Sequence, residues 1–340
     1  MDRFVLPMIL AIALSFFLTP LAKKFAIKVG AIDVPKDNRR VHTKPIPRMG
    51  GLAIYAAFTI CMFLFSDIEF SKLLGIFIGS SILVITGMID DVKPLRASLK
   101  LIIQIGAALV LVQFGFRIEF LTNFFRESGY IFFDGLSIPI TVIWIVGITN
   151  TINLVDGLDG LATGIATIAA FTFAYVSYST GNTTVAVLSL MLAGSSLGFL
   201  PHNFNPASIF MGDTGAYFLG FVLAAISIEG TLKGTTALTL IIPVLALGLP
   251  IFDTAFAIIR RALNKKPIFG ADKGHFHHRL LHIGLGQKRA VLVLYLISLL
   301  MGATAVAIIN HEMLNVSILV AVTSIMLFVP IFRTLGMENE

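Results

Sequence analysis

The sequence predicts an all-α polytopic membrane protein, and three observations support this fold class. The 340-residue chain is 56% hydrophobic and only 13% charged, whereas soluble domains carry about 25% charged residues. Apolar runs of roughly 20 residues, the length at which a helix crosses a bilayer, recur along the chain. Basic residues are concentrated in alternate loops, as they are on the cytoplasmic side of membrane proteins. We therefore expect one integral membrane domain over residues 1–340.

Eleven apolar runs qualify as membrane helices. They lie at residues 4–22, 49–66, 73–89, 98–116, 138–154, 161–179, 183–201, 215–230, 235–259, 290–309 and 315–335. With the N-terminus outside and the C-terminus in the cytoplasm, 20 of the 25 basic residues fall in cytoplasmic segments. This is the positive-inside bias, and it sets the predicted orientation. Because no small-residue cleavage site follows the first run, we expect a retained helix rather than a removed signal peptide.

The predicted orientation places every unusual polar cluster on the cytoplasmic face. These clusters are Asp90-Asp91 and residues 150–161, 202–213 and 275–278. The outside loop 117–137 mixes aromatic residues with Asp134-Gly135, which predicts a short hairpin on the membrane. The one cysteine, Cys61, lies in an apolar run, which excludes a disulfide framework and a cysteine-based zinc site.

Residues 150–161, Asn-Thr-Ile-Asn-Leu-Val-Asp-Gly-Leu-Asp-Gly-Leu, lie between two apolar runs. A charge at the bilayer centre costs roughly 2.5–3.5 kcal/mol, so acidic residues are rare in and beside membrane helices. Their presence at the ends of these two runs indicates a functional role. Asp156 and Asp159 are three residues apart and would point the same way on a helical turn. The glycines let the chain turn sharply and let a bulky group come close. The segment predicts a cation–phosphate site at the membrane surface.

Lys44 and Arg48 lie on a loop that is shaped by prolines and glycines just before the second run. Basic residues there also act as topology determinants that hold anionic lipid head groups, which is our interpretation of Lys23, Lys24 and Lys28. Because the loop shape is fixed, Lys44 and Arg48 are instead candidates for charge-assisted contacts to phosphate.

Asp90 and Asp91 end the third run, where acids oppose the helix dipole and repel each other. One interpretation is a solvated helix end. The other is a functional pair, whose cost is offset by a metal ion, by a nearby lysine (Lys93 or Lys100) or by a role in proton transfer.

Asp213 precedes Thr214-Gly215 at the start of the eighth run. Its carboxylate could cap that helix, or it could hold Mg²⁺ while the free N–H groups hold phosphate oxygens. Phe210 is placed to stack on a base, although most phenylalanines in such a chain face lipid. Asn203 supplies further donor and acceptor groups, as does Asn205.

His275, His277, His278 and Arg279 form a second cationic cluster. A catalytic zinc site would also draw on a nearby carboxylate or cysteine, so the cluster favours hydrogen bonding to a pyrophosphate. Aspartates with hard oxygen atoms indicate Mg²⁺, with Mn²⁺ as the alternative. Such an ion together with Lys, Arg and His is typical of phosphoryl transfer.

The competing class is a secondary transporter, because many helices with acidic residues also describe cation carriers. Transporter sites lie near the bilayer midplane on broken helices in paired repeats. Here the acids lie at helix ends and the halves show no repeat; only Asp253, beside Pro250, fits that class.

The chain resembles the polyprenyl-phosphate N-acetylhexosamine-1-phosphate transferases, glycosyltransferase family 4. The resemblance covers nearly the whole chain. It rests on five motifs in the family's order: Pro-Arg-Met-Gly-Gly at 47–51, Asp90-Asp91, residues 150–161, Ile-Phe-Met-Gly-Asp-Thr-Gly at 209–215 and His-Phe-His-His-Arg at 275–279. The separated histidines resemble the N-acetylglucosamine-type enzymes, whereas the muramoyl-pentapeptide branch tends to a contiguous histidine run.

The resemblance implies roles for individual residues. Asp213 would be a metal ligand with Asp156 close by, and Asp90, with Asp91 beside it, would position or deprotonate the carrier phosphate. The remaining roles concern the donor: Asn153, Asp159 and Phe210 would hold uridine, and the sugar or pyrophosphate would face His275, His277, His278 and Arg279. Lys44 does not clearly align with a family residue.

The implied reaction transfers N-acetylglucosamine-1-phosphate from UDP-N-acetylglucosamine to undecaprenyl phosphate. The implied cofactor is Mg²⁺, or Mn²⁺, and the expected location is the bacterial cytoplasmic membrane. Membrane lipid is an expected partner and nucleic acid is not. The sequence leaves the oligomeric state open, with a homodimer as one option.

Overall fold

The computed structural model describes residues 2–35, 44–122, 129–232, 241–265 and 274–337. This part of the chain contains thirteen α-helices: α1 Asp2–Val29, α2 Gly51–Phe65, α3 Phe70–Val92, α4 Ala97–Gln113, α5 Ser137–Val155, α6 Leu161–Ser179, α7 Thr183–Asn203, α8 Gly212–Leu232, α9 Ile241–Ala246, α10 Gly248–Leu263, α11 Phe276–His282, α12 Gln287–Ile309 and α13 Met313–Met337. A short 3-10 helix, Asp134–Leu136, precedes α5.

Two antiparallel ribbons lie between the helices. β1 (Ile32–Asp33) pairs with β2 (Ile46–Pro47) before α2, and β3 (Phe120–Thr122) pairs with β4 (Tyr130–Phe132) before α5. The second ribbon confirms the hairpin predicted in loop 117–137, of which residues 123–128 lie outside the described residues.

Helices follow the predicted apolar runs, with one difference. The ninth run is divided into α9 and α10, which contain Pro243 and Pro250, because proline lacks the N–H that a continuous helix needs. Residues 235–240 of that run lie outside the described residues. Short α11, in the histidine segment, was not predicted.

Six of the described helices are long and apolar enough to cross a membrane, and three more apolar helices are shorter. This finding supports a polytopic membrane fold. The count of eleven crossings and the orientation remain predictions.

The central element of the bundle is α8. Four consecutive residues, Phe221, Val222, Leu223 and Ala224, point to all sides of the helix and are fully buried, because α2, α3, α5, α6 and α7 pack around it. A helix that is buried on every side needs apolar residues all round rather than one apolar stripe. Its polar first turn, which contains Asp213, is therefore held in place by the whole bundle.

The contact between α5 and α8 is close enough to exclude a side chain. A Cβ on Gly220 would lie 2.6 Å from the Cα of Thr149 and 3.0 Å from the carbonyl oxygen of Ile148. Next to this contact, the indole N–H of Trp144 donates to the Ser227 hydroxyl at 2.9 Å.

We expect Gly220→Ala to lower the thermal unfolding midpoint in detergent, because the added methyl group meets backbone that cannot move aside. Overpacking of this kind costs about 1–3 kcal/mol. Gly106→Ala is the control, because a Cβ on Gly106 meets nothing within 4 Å. An equal effect of the two substitutions in differential scanning fluorimetry would contradict the close packing of α5 on α8.

Candidate active site

The carboxylate of Asp91 caps the N-terminus of α8. Its Oδ1 accepts from the backbone N–H of Asp213 at 3.0 Å, and its Oδ2 accepts from the N–H and hydroxyl of Thr214 at 3.2 and 2.7 Å. The side chain of Asp91 has 0% exposure. The first N–H groups of a helix lack partners within it and carry partial positive charge, so a buried carboxylate is stabilised there. The last turn of α3 is thereby fixed against the first turn of α8.

Lys100, in the first turn of α4, joins Asp90 to Asp213. Its ammonium nitrogen lies 2.5 Å from Oδ2 of Asp90 and 3.1 Å from Oδ2 of Asp213. The other oxygen of Asp90 accepts from the backbone N–H of Leu95 at 2.6 Å. One cation therefore lies between the two carboxylates.

Asp213 is also bound from α5 and from its own helix. The side-chain amide of Asn153 donates to Oδ1 at 3.1 Å, and the hydroxyl of Tyr217, one turn along α8, donates to Oδ2 at 3.0 Å. Donors from α4, α5 and α8 thus surround this one carboxylate.

Arg48 adds a positive charge from the loop before α2. Its Nε lies 3.5 Å from Oδ1 of Asp91. Burial alone would lower the pKa of the Arg48 guanidinium, but the charge of Asp91 and further carboxylates outweighs burial and raises it. The loop is held by the backbone of Phe210, whose N–H donates to Pro47 at 2.8 Å and whose carbonyl accepts from Gly50 at 2.9 Å. Arg48 is therefore a fixed cation beside the Asp91 cap.

Asp156 and Asp159 do not share a helical turn, contrary to the expectation from their spacing. The reason is that α5 ends at Val155 and the chain turns before α6, with Gly160 in the left-handed conformation at φ 79°. The two side chains consequently serve different parts of the site.

Asp156 belongs electrostatically to the Asp213 cluster. Burial raises the pKa of its carboxyl group to about 7, the negative charges of Asp213 and Asp91 add to this rise, and Arg48 opposes it. Near neutral pH this carboxyl group therefore exists in both protonation states.

Asp159 lies instead beside a cavity of about 710 Å³ on the other side of the turn. Its Oδ2 accepts from the side-chain amide of Asn205 at 2.9 Å and from the N–H of Ala207 at 3.0 Å. Asn205 also donates to Gln287, at the start of α12, at 2.8 Å. Lys44 lines the same cavity, so two predicted binding residues from distant loops meet there.

Asn203 braces the loop between α7 and α8. Its Oδ1 accepts from the Thr163 hydroxyl at 2.9 Å, and its amide donates to the carbonyl of Ile209 at 3.1 Å. The residue is buried, so these contacts shape the segment that leads to Asp213.

The histidine segment packs against the turn that follows α5. A Cβ on Gly157 would lie 2.5 Å from Nε2 of His277, so only glycine admits this ring. His277 stacks on His275 with ring centroids 5.9 Å apart, and His278 lies 4.3 Å from His277. Burial, with the neighbouring charge of His278, lowers the pKa of His277 to about 3. His277 is therefore a neutral ring at pH 7.

Arg279 holds the start of the histidine segment. Its Nε donates to the carbonyl of Gly274 at 3.2 Å, and its guanidinium lies 5.3 Å from the centre of the Phe256 ring. Arg260 donates to the same carbonyl at 3.1 Å. Both arginines thus connect this segment to α10.

The carboxylate cluster is chemically compatible with a magnesium ion. Among the residues that the structure describes, no group of three His, Cys, Asp or Glu side chains is arranged to hold a metal ion by itself. Mg²⁺ usually binds through one or two carboxylates together with substrate phosphates and water. Asp213 and Asp156 offer two such carboxylates in one electrostatic cluster.

Three residues of the site were not among the predicted site residues, although Lys100 was named as a possible partner of the aspartate pair and does bind Asp90. Lys100 has an unusual place for a cation, the first turn of a helix, where the dipole disfavours it. Tyr217 follows Asp213 by four residues, so it lies on the same helix face. Asp253 is a buried acid on α10, and it binds His275.

Comparison with known proteins matches part of this chain to a family model. Residues 73–231, from α3 to near the end of α8, match the family model described as glycosyl transferase family 4.

Curated relatives extend the match along the whole chain. A Bacillus subtilis protein named probable undecaprenyl-phosphate N-acetylglucosaminyl 1-phosphate transferase is 41% identical over 100% of this chain and 94% of its own. A Mycobacterium leprae decaprenyl-phosphate N-acetylglucosaminephosphotransferase is 38% identical, over 84% of this chain and 79% of its own. A Staphylococcus aureus phospho-N-acetylmuramoyl-pentapeptide-transferase is 30% identical, over 86% of this chain and 95% of its own.

The raised pKa of Asp156 predicts how stability depends on pH without metal. Because the folded-state pKa lies above the ordinary value, the native protein binds more protons than the unfolded chain between about pH 4 and 7, and stability falls as pH rises through that window. Asp156→Asn has no such proton to lose. We expect its unfolding midpoint in EDTA to exceed that of the wild type at pH 8, with the difference vanishing near pH 4.

The control is Asp67→Asn, because Asp67 forms an exposed ion pair with Arg3 and such pairs contribute little. A midpoint for Asp156→Asn that follows the wild type across the whole pH range would contradict the electrostatic grouping of Asp156 with Asp213.

Proposed function

Because this chain belongs to glycosyl transferase family 4, we propose that it transfers N-acetylglucosamine-1-phosphate from UDP-N-acetylglucosamine to undecaprenyl phosphate and releases UMP. The observation that carries the proposal is the similarity, over the full length, to the B. subtilis protein named for this transfer. The muramoyl-pentapeptide reaction is the alternative within the family, and its relatives are more distant. The reaction would be the first membrane step of a cell-envelope glycan pathway, at the cytoplasmic face of the bacterial inner membrane.

The lipid acceptor has a matching groove. A cavity of about 850 Å³ lies between α4, α5 and α10, and most of its lining is apolar, including Leu101, Ile105 and Ile143. At one end the lining becomes polar, with Asn150, Asn153, Arg261 and His275. Since Asn153 also binds Asp213, a prenyl chain in this groove would bring its phosphate to the carboxylate cluster.

The nucleotide donor is assigned to the cavity beside Asp159. Lys44 and Asn205 give it charge and hydrogen-bonding groups, as a nucleoside and its phosphates require. The residues 150–161 separate this cavity from the groove, and they contribute Asp159 to the one and Asn153 to the other. Donor and acceptor would thus approach the carboxylate cluster from two sides.

The chemistry requires little beyond positioning. An oxygen of the acceptor phosphate attacks the β-phosphorus of the donor; the new P–O bond forms as the bond to the bridging oxygen breaks, and UMP leaves. The second pKa of a phosphomonoester is about 6, so the attacking group is already ionised at neutral pH. Asp90, held by Lys100, would therefore orient the acceptor rather than deprotonate it.

Asp213 and Asp156 would hold Mg²⁺, which neutralises charge on the pyrophosphate when bound. Arg48 and Lys100 supply fixed positive charge beside these carboxylates. His278 and Arg279 would donate hydrogen bonds to the sugar phosphate, and neutral His277 keeps their segment packed on Gly157. An aspartyl-phosphate intermediate is the two-step alternative.

Purified protein with Mg²⁺, undecaprenyl phosphate and a panel of UDP-sugars tests this function. We expect UMP release only with UDP-N-acetylglucosamine and lipid phosphate together. Asp213→Asn should lower kcat by ~10²–10³, the loss typical for removing one preorganised charge-stabilising group, and Asp90→Asn should also reduce it. Asp67→Asn should remain active.

Two outcomes would overturn parts of this proposal. Full activity of Asp213→Asn would contradict its assignment as a metal ligand. UMP release without any lipid phosphate would contradict transfer to a lipid acceptor. Trapping of a phosphorylated enzyme with labelled donor alone would replace the one-step mechanism by the two-step route.

Gly147 allows a separate test of the acceptor groove. It lines the groove on α5, and a Cβ there would meet nothing within 4 Å. Gly147→Leu should therefore fill the groove without disturbing the protein, and raise KM for undecaprenyl phosphate about tenfold, equivalent to roughly 1.4 kcal/mol. The KM for the UDP-sugar should stay unchanged.

Gly106→Leu is the matched control, because Gly106 is equally open but does not line the groove. If both variants bind the acceptor like the wild type, the prenyl chain does not lie along α5.

A further inference from the structure

Asp253 binds two consecutive residues at the start of the histidine segment. Its Oδ1 accepts from the backbone N–H of Phe276 at 2.8 Å, and its Oδ2 lies 3.0 Å from Nδ1 of His275. The side chains of Asp253 and His275 are only 7% and 9% exposed. A single buried carboxylate on α10 thus fixes both the backbone and a side chain of this segment.

The contact determines the proton position on the His275 ring. An ionised carboxylate only accepts hydrogen bonds, so Nδ1 of His275 must carry a proton. The orientation of a histidine ring is set in this way by the group that binds its other nitrogen. Asp253 therefore selects one tautomer and one orientation of the ring.

The fixed ring links the proposed acceptor groove to the turn that carries Asp156. His275 lines the polar end of the groove, and on its other side it stacks in parallel on His277, with 5° between the ring planes. His277 in turn contacts Gly157, next to Asp156. The Asp253 contact therefore connects α10 to the carboxylate cluster through two stacked rings.

We propose that Asp253 is a positioning residue for the transfer reaction, acting through His275. By holding the Nδ1–H group, it directs the His275 ring at the head of the acceptor groove and aligns the histidine segment with the site. This inference rests on the proposed function, because it assigns Asp253 a part in that reaction.

A purely structural role would consist of the cap on Phe276 alone. Asparagine caps a helix as well as aspartate does, so Asp253→Asn keeps this cap. Its amide N–H₂, however, faces Nδ1 of His275 and favours the tautomer that is protonated on Nε2. The substitution therefore separates the two roles, whereas Asp253→Ala removes both.

The test is a double-mutant cycle on purified full-length protein. We expect Asp253→Asn to lower kcat at least tenfold, with KM for UDP-N-acetylglucosamine within twofold and the unfolding midpoint nearly unchanged. In a His275→Ala background the same substitution should change kcat by less than twofold, because residues that act as a unit are non-additive. If the fold-losses in kcat of the two single mutants simply multiplied in the double mutant, the two residues would act independently and the inference would be overturned.

Nitrogen-15 NMR of histidine-labelled protein gives a readout that does not depend on activity. The signal lost in His275→Ala should show protonated Nδ1 in the wild type and protonated Nε2 in Asp253→Asn. An unchanged tautomer would overturn the inference even if kcat fell.

Glu229→Gln is the matched control for neutralising a buried carboxylate. Glu229 pairs with Lys72 at 2.6 Å near the far end of α8, about 24 Å along the helix from Asp213. The Glu229→Gln substitution should lower the unfolding midpoint and leave kcat of the folded enzyme unchanged. Wild-type protein that releases no UMP would contradict the proposed function itself, whereas an active wild type with an equally active Asp253→Asn would contradict this inference alone.

Discussion

The site depends on one buried contact, the carboxylate of Asp91 at the N-terminus of α8. Three hydrogen bonds from Asp213 and Thr214 end on its two oxygens. A buried charge is tolerated only when it is paired or fully hydrogen-bonded, and the positive end of a central helix provides those conditions. The contact orients Asp90 and Asp213 toward Lys100 and places Arg48 beside them. Asp91 therefore supports the chemistry by building the site.

Local pattern predicted much of the fold, because each apolar run, the hairpin and the polar helix ends are properties of short segments. The pairings between segments were not predictable in this way. Thr214 lies 123 residues from Asp91, and Asp213 lies 113 residues from Lys100, so spacing carries no information about them. Asp156 and Asp159 show the opposite failure: their spacing suggested one helical face, but the end of α5 at Val155 separated them.

Residues 150–161 act as a partition between two recesses of different character. One recess is largely apolar and opens among helices that would face lipid, and the other is bounded by polar loops. Asn153 and Asp159 face these two recesses from the two ends of one short turn. A reaction between a water-soluble donor and a lipid-dissolved acceptor needs such a divided entrance, since no single environment suits both molecules.

Lys100 has a consequence for biogenesis. Its ammonium group lies between Asp90 and Asp213, so the chain itself balances part of their negative charge as soon as α4 and α8 meet. Many small metal-binding domains fold only when their ion is present. With an internal counter-ion, this bundle can be inserted and assembled in the membrane without waiting for a divalent ion.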